Sequence, residues 1–347
     1  MIELRVIGEE EAGEWDELVN KSPQSSIFHT WRWLKIVEKH TNSRLYPLIG
    51  MKGNTPIGIY PLFYFKKKGV KLALSPPPKS LLLYMGPALV DFEKMKQSRR
   101  ESLLAEFQHA VDNFIASELR CNYVRIRTPP GLIDARPLRW SGYDVEPLYT
   151  YMIDLSKGVE QLWRGLSRKL RVSIERAKRE GVSVESGDKE DLEFLRTSLY
   201  ARFEEQGLKP SKDYYKDYLS ELYDAFYPQN MKIFIAKYKG ERVGGLVVLC
   251  YKSWSALWIG VPKTNLKGIY PNDLAQWEAI RWACSHGLKV YEEMDAGDDP
   301  RLRHFKAKFN PEPAIWFSAV KYSSPLFKVL ERATRFVYDK FRLGGLI

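Results

Sequence analysis

The sequence predicts a mixed α/β protein built as two tandem modules of like design, followed by a C-terminal amphipathic helix. Its 347 residues exceed what one hydrophobic core ordinarily organises and suffice for two. Hydrophobic residues make up 44% and aromatics 13%, which provides ample material for packed interiors and excludes a disordered chain. The third observation is that one order of elements, hairpin, helix, strand, helix, strand, runs twice along the chain. The recurrence is of pattern and not of residues, so two unrelated mixed α/β halves stand as the alternative.

In the first module, residues 1–152, apolar runs at Tyr46–Met51 and Pro56–Phe65 flank Lys52-Gly53-Asn54 and predict a hairpin, with Val70–Leu74 as a further strand. Beyond Pro76-Pro77-Pro78, the spacing of Leu103, Leu104, Phe107, Val111, Phe114 and Ile115 predicts a helix from about Met95 to Leu119. Strand Tyr123–Arg127, a short helix near Ala135–Trp140 and strand Val145–Leu155 close this half.

The second module, residues 153–324, repeats the order with strands at Met231–Tyr238, Arg242–Tyr251 and Trp254–Val261 around a Lys239-Gly240 turn. A helix over Asn272–His286 starts beside Pro271 and ends at Gly287, where a left-handed residue is wanted. After strand Lys289–Asp295, Asp299-Pro300 supplies an N-cap and a first-turn proline for a helix to about Phe309, before strand Ala314–Tyr322. In the tail, 325–347, Leu326, Phe327, Leu330, Phe336, Val337 and Phe341 alternate with Lys328, Arg332, Arg335, Lys340 and Arg342. This amphipathic basic helix either packs back on the first module or lies on a membrane surface.

The net charge of +11, from 54 Lys and Arg against 43 Asp and Glu, favours phosphate-bearing partners: tRNA, a nucleotide- or lipid-linked precursor, coenzyme A or an anionic membrane. The stretch Val159–Glu180 predicts one long helix with Leu162, Leu166, Leu170, Ile174 and Ala177 as its apolar stripe. Its other face carries Arg164, Arg168, Lys169, Arg171, Arg176, Lys178 and Arg179, with Glu175 the one acid among them. Like charges at this spacing repel, so the face either meets phosphate or is a solvated basic surface.

No apolar run reaches the length of a membrane span and the charged start Met1–Glu10 lacks a signal-peptide core. A cytoplasmic protein is expected, working in solution or at the inner face of the membrane, as a monomer or weak dimer. Cys121, Cys250 and Cys284 fit neither a disulfide framework nor zinc spacing, and His29, His40, His109, His286 and His304 show no ligand pattern, so no metal is expected.

Four segments resemble one family. They are Trp31-Arg32-Trp33-Leu34-Lys35 after Phe28, the run Leu166–Val184, the pattern Thr197, Arg202, Tyr214-Tyr215, and Tyr270–Asn310 ending in Phe305-Lys306-Ala307-Lys308-Phe309-Asn310. Together they are similar to the Fem-type non-ribosomal peptidyltransferases of the GNAT acetyltransferase-fold superfamily. The resemblance implies two GNAT-like domains sharing a cleft, the first binding the acceptor precursor and the second holding the acyl donor and the chemistry. It implies aminoacyl-tRNA as donor, an amine of a peptidoglycan-like envelope precursor as acceptor, and no bound cofactor. The chain departs from the family in carrying Asn310 where glycine is usual and in lacking the inserted helical hairpin of longer members.

Coenzyme A is the weaker donor candidate. Acetyltransferases seat its pyrophosphate on backbone N–H groups of a glycine-rich loop, whereas the matching loop here, Lys263–Asp273, follows Gly268 with Ile269 and Tyr270. Donor phosphates are expected on Arg164, Arg168 and Arg171 and, in that loop, on Lys263 and Lys267.

Aminolysis of an activated ester needs a neutral amine, an oxyanion stabiliser and a discharged leaving group, but no protein nucleophile. Lys306, at the edge of the stripe Leu302, Phe305, Phe309, is the candidate stabiliser, or else a surface lysine. Asp295 closes the strand before it and either orients and deprotonates the amine or belongs to a solvated turn; crowding with Glu292, Glu293, Asp298 and Asp299 is expected to raise one carboxyl. By resemblance Lys35 binds precursor phosphate, Arg202 contacts phosphate or carboxylate, and Tyr215 touches substrate, each with a structural role as the alternative. Two other readings stay open: an acyl-coenzyme A-dependent N-acyltransferase of surface-polysaccharide synthesis, and a non-catalytic nucleic-acid or membrane binder on the same fold.

Overall fold

The computed structural model describes residues 1–67, 69–205, 214–262, 266, 268–295, 299–325 and 327. The expected tail helix, apart from Pro325 and Phe327, lies outside these residues. In chain order the elements are β1 (Glu3–Val6), α1 (Ala12–Lys21), α2 (Trp31–Thr41), β2 (Arg44–Lys52), β3 (Thr55–Lys67), β4 (Val70–Ser75), β5 (Ala88–Leu89), α3 (Gln97–Phe114), β6 (Tyr123–Arg127), α4 (Arg136–Trp140) and β7 (Asp144–Asp154). Then come α5 (Val159–Gly165), α6 (Arg168–Arg179), β8 (Val182–Ser186), α7 (Lys189–Glu205), α8 (Tyr214–Phe226), β9 (Met231–Tyr238), β10 (Glu241–Tyr251), β11 (Trp254–Pro262), α9 (Pro271–Ser285), β12 (Val290–Asp295), α10 (Pro300–Ala307) and β13 (Glu312–Tyr322). No helix among the described residues is long and apolar enough to cross a membrane.

The chain forms two units. In the first, Met1–Leu148 with the chain from Ile315, the strands run β1-β2-β3-β4-β6-β13, with β5 on β3. The meander is antiparallel, β4 and β6 are parallel across the α3 crossover, and β13 lies antiparallel on β6. Leu103, Leu104, Phe107 and Val111 of α3 fill the core against Leu48, Tyr60 and Val124. Helix α3 sits close to the sheet because β2 offers it Gly50, where an added Cβ would lie 2.7 Å from the Phe107 ring.

The second unit, Tyr149–Ala314, repeats the plan with strands in the order β7-β12-β11-β10-β9-β8. The β9–β10 hairpin turns on Lys239 and Gly240, both at positive φ of 52° and 81°, the conformation that matches strand twist in a two-residue loop. Its core gathers Leu170, Ile174 and Ala177 of α6 with Leu274, Trp277 and Ile280 of α9 over Val248 and Tyr291.

Two expectations are corrected here. The stretch 159–180 is two helices, because Leu166 and Ser167 adopt extended backbone with ψ of 146° and 145°. Ser167 then caps α6, its Oγ accepting from the Leu170 N–H at 3.3 Å, while its own N–H donates to the Lys308 carbonyl at 3.0 Å. The module boundary also moves: β7, read as closing the first module, places Tyr149–Asp154 in the second unit on β12, and β13, read as closing the second, pairs over Ser318–Tyr322 with β6. The Thr150 hydroxyl donating to Glu292 at 2.7 Å fixes the first pairing, and the Phe317 N–H donating to Thr128 Oγ1 at 3.0 Å supports the second.

Leu170, fully buried in the second core, gives a direct check on this packing. Leu170→Ala is expected to cost roughly 3 kcal/mol, read as a lowered midpoint of chemical unfolding.

Candidate active site

In the second unit the sheet opens where β11 and β12 stop pairing. The two strands are parallel, yet their ladder holds only over Trp254–Ala256 against Val290–Glu292. A bulge on each strand bends them apart. On β11, Val247 pairs Ile259 and Val248 pairs Leu257, leaving Trp258 as the extra residue. On β12, Glu292 pairs Met152 and Asp295 pairs Thr150, and Met294 takes the left-handed region at φ 55°. A non-glycine residue held there stores strain of the kind found at functional sites.

Two adjacent carboxylates sit at this opening, both buried. Glu292 accepts from Thr150 Oγ1 at 2.7 Å and from Trp254 Nε1 at 2.9 Å, so both its oxygens are held. Glu293 points toward α9, where Gln276 Nε2 donates to its Oε1 at 3.0 Å; its Oε2 has no partner among the described residues. Burial pushes the Glu293 carboxyl up to about 8, against the opposing pull of Lys306 and Gln276. A raised carboxyl in this acidic cluster was expected; its cause is desolvation and not mutual repulsion.

Helix α10 delivers Lys306 to the same place. Asp299 caps it as expected, accepting from the Arg301 and Leu302 N–H groups at 2.9 and 3.4 Å. Lys306 is 4% exposed, more enclosed than its neighbour Phe305, which removes the surface-lysine alternative. Its Nζ donates to the Asp295 carbonyl at 2.5 Å. Burial lowers its pKa, while Glu293, Asp295 and Glu292 act in the opposite sense. An ammonium has three donors, and among the described residues one acceptor, the Asp295 carbonyl, meets them.

A second polar knot sits at the start of α9. Asp273, 4% exposed, accepts from Ser173 Oγ of α6 at 2.6 Å and from Lys308 Nζ at 3.3 Å. Nearby, the Arg176 guanidinium covers Gly268, whose missing Cβ would lie 2.9 Å from Nη1 and whose φ is 73°. Lys178 of α6 pairs with Glu278 of α9 at 2.9 Å.

The other predicted residues separate. Asp295 lies beside Lys306 but offers its carbonyl to it. Arg164 pairs with Glu160 at 3.5 Å and lines a depression of about 230 Å³ with Lys157, Gln161, Asn310 and Glu312. Arg171 donates to the Arg164 carbonyl at 3.2 Å, and Arg168 is exposed. Lys35, on α2 of the first unit, pairs with Glu38 at 2.5 Å. Tyr215 is 1% exposed on α8 beside buried Tyr218 and Leu219, as the structural alternative to a substrate contact would have it. Lys263, Lys267 and the Arg202 side chain lie outside the described residues. His304 is exposed on α10. Sequence reasoning placed Glu293 only in a crowd of acids around a turn and missed Gln276; the available signal for burial was a pair of acids inside an otherwise apolar strand, Val290–Met294.

Residues 164–306 match the family model of the acetyltransferase (GNAT) domain. The whole chain has the fold of FemX, to which it is 15% identical, with a TM-score of 0.71 over 95% of this chain and 100% of that one. It is also similar to a tandem GNAT protein from the clavulanic acid biosynthesis pathway, at 13% identity and a TM-score of 0.55 over 94% and 99% of the two chains. The C-terminal domain of a putative lysylphosphatidylglycerol synthetase from Agrobacterium fabrum shares 12% identity, with a TM-score of 0.54 over 94% and 96%. No curated protein matches the sequence. The chain is thus a transferase of the GNAT fold, with a Fem-like tandem architecture and acyl transfer as its class of chemistry.

The buried carboxyl predicts a stability change with pH. A group protonated in the folded state up to about pH 8 but ionised in the unfolded state above its usual 4.5 makes the unfolded chain bind fewer protons in that window. Its contribution is therefore complete below pH 4.5 and lost as pH rises to about 8. Glu293→Gln should flatten this slope, so that its stability relative to the wild type rises by up to about 1.4 kcal/mol per pH unit across the window, measured by chemical denaturation at a series of pH values.

Proposed function

We propose that this chain is a Fem-like aminoacyltransferase, moving an amino acid from aminoacyl-tRNA onto an amine of a peptidoglycan-like envelope precursor without a bound cofactor. The observation that carries the reading is Lys306, a buried ammonium at the opening between β11 and β12, with the Asp295 carbonyl as its one hydrogen-bond acceptor among the described residues. When an amine adds to the ester carbonyl, negative charge collects on that oxygen and then on the departing ribose oxygen. A fixed cation in a water-poor site stabilises both. No residue needs to form a covalent intermediate, because the amine is itself the nucleophile.

The donor assignment is supported by what fills the start of α9. Coenzyme A pyrophosphate would need the free N–H groups and positive end of that helix. Here the first turn carries its own buried carboxylate, Asp273, and Arg176 lies on Gly268. A second carboxylate-sized charge next to a pyrophosphate is repulsive, which favours a donor held elsewhere. The exposed cations of α6, Arg168, Lys169 and Arg179, suit a polyanion that spreads its charge. The precursor would reach the protein in solution or at an anionic membrane surface, the latter suggested by the lysyl lipid in the name of the similar synthetase.

The test is transfer from charged tRNA and, separately, from acyl-coenzyme A, to a nucleotide-linked peptide precursor, followed by mass spectrometry. Product with charged tRNA alone is expected; product with acyl-coenzyme A alone would replace this reading by an N-acyltransferase of surface-polysaccharide synthesis. Lys306→Ala should keep the fold and lose roughly 100- to 1,000-fold in kcat. Binding of tRNA with no transfer from either donor would instead leave a non-catalytic binder.

A further inference from the structure

We propose that the depression where α5 ends is a binding site for a small zwitterion: an ammonium and a carboxylate joined by a short apolar body, as in a free α-amino acid or a short peptide. Lys306 does not line it, and the proposal does not depend on the transfer reading.

Three segments of the second unit form the depression: the end of β7 with the turn after it, the body and last turn of α5, and the chain that follows α10. Its floor is apolar, since Ile153, Leu162 and Phe309 are all buried. Its rim carries charges of both signs, Lys157 and Arg164 against Asp154 and Glu312, with the Asn310 carboxamide beside them. The volume of about 230 Å³ lies below the roughly 300 Å³ at which sites for drug-sized ligands begin, and suits an occupant of amino-acid size.

What points to a ligand is that these opposite charges converge without neutralising one another. Among the described residues no ion pair joins Lys157 or Arg164 to Asp154 or Glu312. Arg164 pairs instead with Glu160, at 3.5 Å with both side chains largely in solvent, a contact that costs little to exchange. Asp154 takes the Ser156 N–H and hydroxyl on Oδ1, at 3.0 and 2.6 Å. These bonds hold its carboxyl below the usual 3.8 and leave Oδ2 to accept from another donor. The two carboxylates disfavour an isolated phosphate and the two cations disfavour a metal ion, whereas a ligand bearing both charges satisfies each set at once. Asn310 stands in the left-handed region at φ 59°, where glycine is the least costly residue. Gly165 makes room for its carboxamide, since an added Cβ there would lie 3.3 Å from Nδ2. The pair thus places on the rim an amide that both donates and accepts.

The experiment needs neither acyl donor nor acceptor. Full-length ¹⁵N-labelled protein is titrated with L-alanine and, separately, with L-alanyl-L-alanine, and the backbone amide signals of Gly165 and Asn310 are followed by NMR. Saturable shifts in the millimolar range are expected with at least one of them, and the tighter of the two names free amino acid or peptide as the source. On the wild type, L-alaninamide, which lacks the carboxylate, and propionate, which lacks the ammonium, should each bind about 10-fold more weakly than L-alanine. Arg164→Gln and Glu312→Gln, both at exposed positions, should leave the fold intact and each weaken the better ligand about 10-fold, and Asn310→Gly about 3-fold. No saturable shift with either zwitterion overturns the proposal. Propionate or inorganic phosphate binding as tightly as L-alanine overturns it as well, leaving a site for anions only. So does an affinity unchanged in both Arg164→Gln and Glu312→Gln, which would put the ligand elsewhere.

Discussion

A cation and its counter-charges are held here where the sheet has stopped supplying backbone partners. Lys306 reaches the Asp295 carbonyl because β11 and β12 separate after Ala256 and Glu292. Had the parallel ladder continued, the end of β12 would be committed to β11, and neither α9 nor α10 could place a side chain between them. The bulges at Trp258 and Met294 therefore do more than interrupt regularity. They create a small low-dielectric volume in which one charge acts strongly on another, and the core of the second unit closes around it.

Holding an ammonium at one point requires a rigid support, and α10 is short for that purpose, at eight residues. A helix of two turns is unstable alone. Its stability comes from contacts at both ends. Asp299 satisfies the first N–H groups, Phe309 anchors the end in the core, and Lys308 joins Asp273 at the start of α9. The Ser167 N–H also binds the Lys308 carbonyl, so the break between α5 and α6 serves the same purpose. Asp273 links α6, α9 and the end of α10 through two donors, and removing it would leave the half-buried Lys308 without its counter-charge.

Where a feature depends on local signals, the sequence was legible. The Lys239-Gly240 turn, the Pro271 start of α9, Gly287 after its end and the Asp299-Pro300 cap all rest on residues whose backbone preferences act within one turn. The features that were not legible depend on partners distant in the chain. Two acids in succession, Glu292 and Glu293, ordinarily mark a solvated turn, and nothing local reveals that Thr150, Trp254 and Gln276 will meet them. Lys306 could be placed beside an apolar stripe, but its burial follows from a carbonyl on another element. The exchange of β7 and β13 between units was hidden because element order constrains pairing only weakly. The basic face of α6 looked like unpaired repulsion. Three-dimensional contact assigns part of it: Lys178 to Glu278, Arg171 to a carbonyl and Arg176 to the surface of Gly268.

That partition of charge bears on how this site differs from one built for a compact pyrophosphate. A helix N-terminus concentrates its partial charge within one turn, and it binds best an anion small enough to sit there. In the second unit the Asp273 carboxylate stands in that turn, balanced by Ser173 and Lys308, and its charge opposes a further anion there. What remains positive is spread along α6 in Arg168, Lys169 and Arg179. Distributed cations give little to a single diphosphate, but they release many counterions when a long polyanion lies along them. The same carboxylate that joins the start of α9 to the end of α10 thus stands where a compact anion would be repelled.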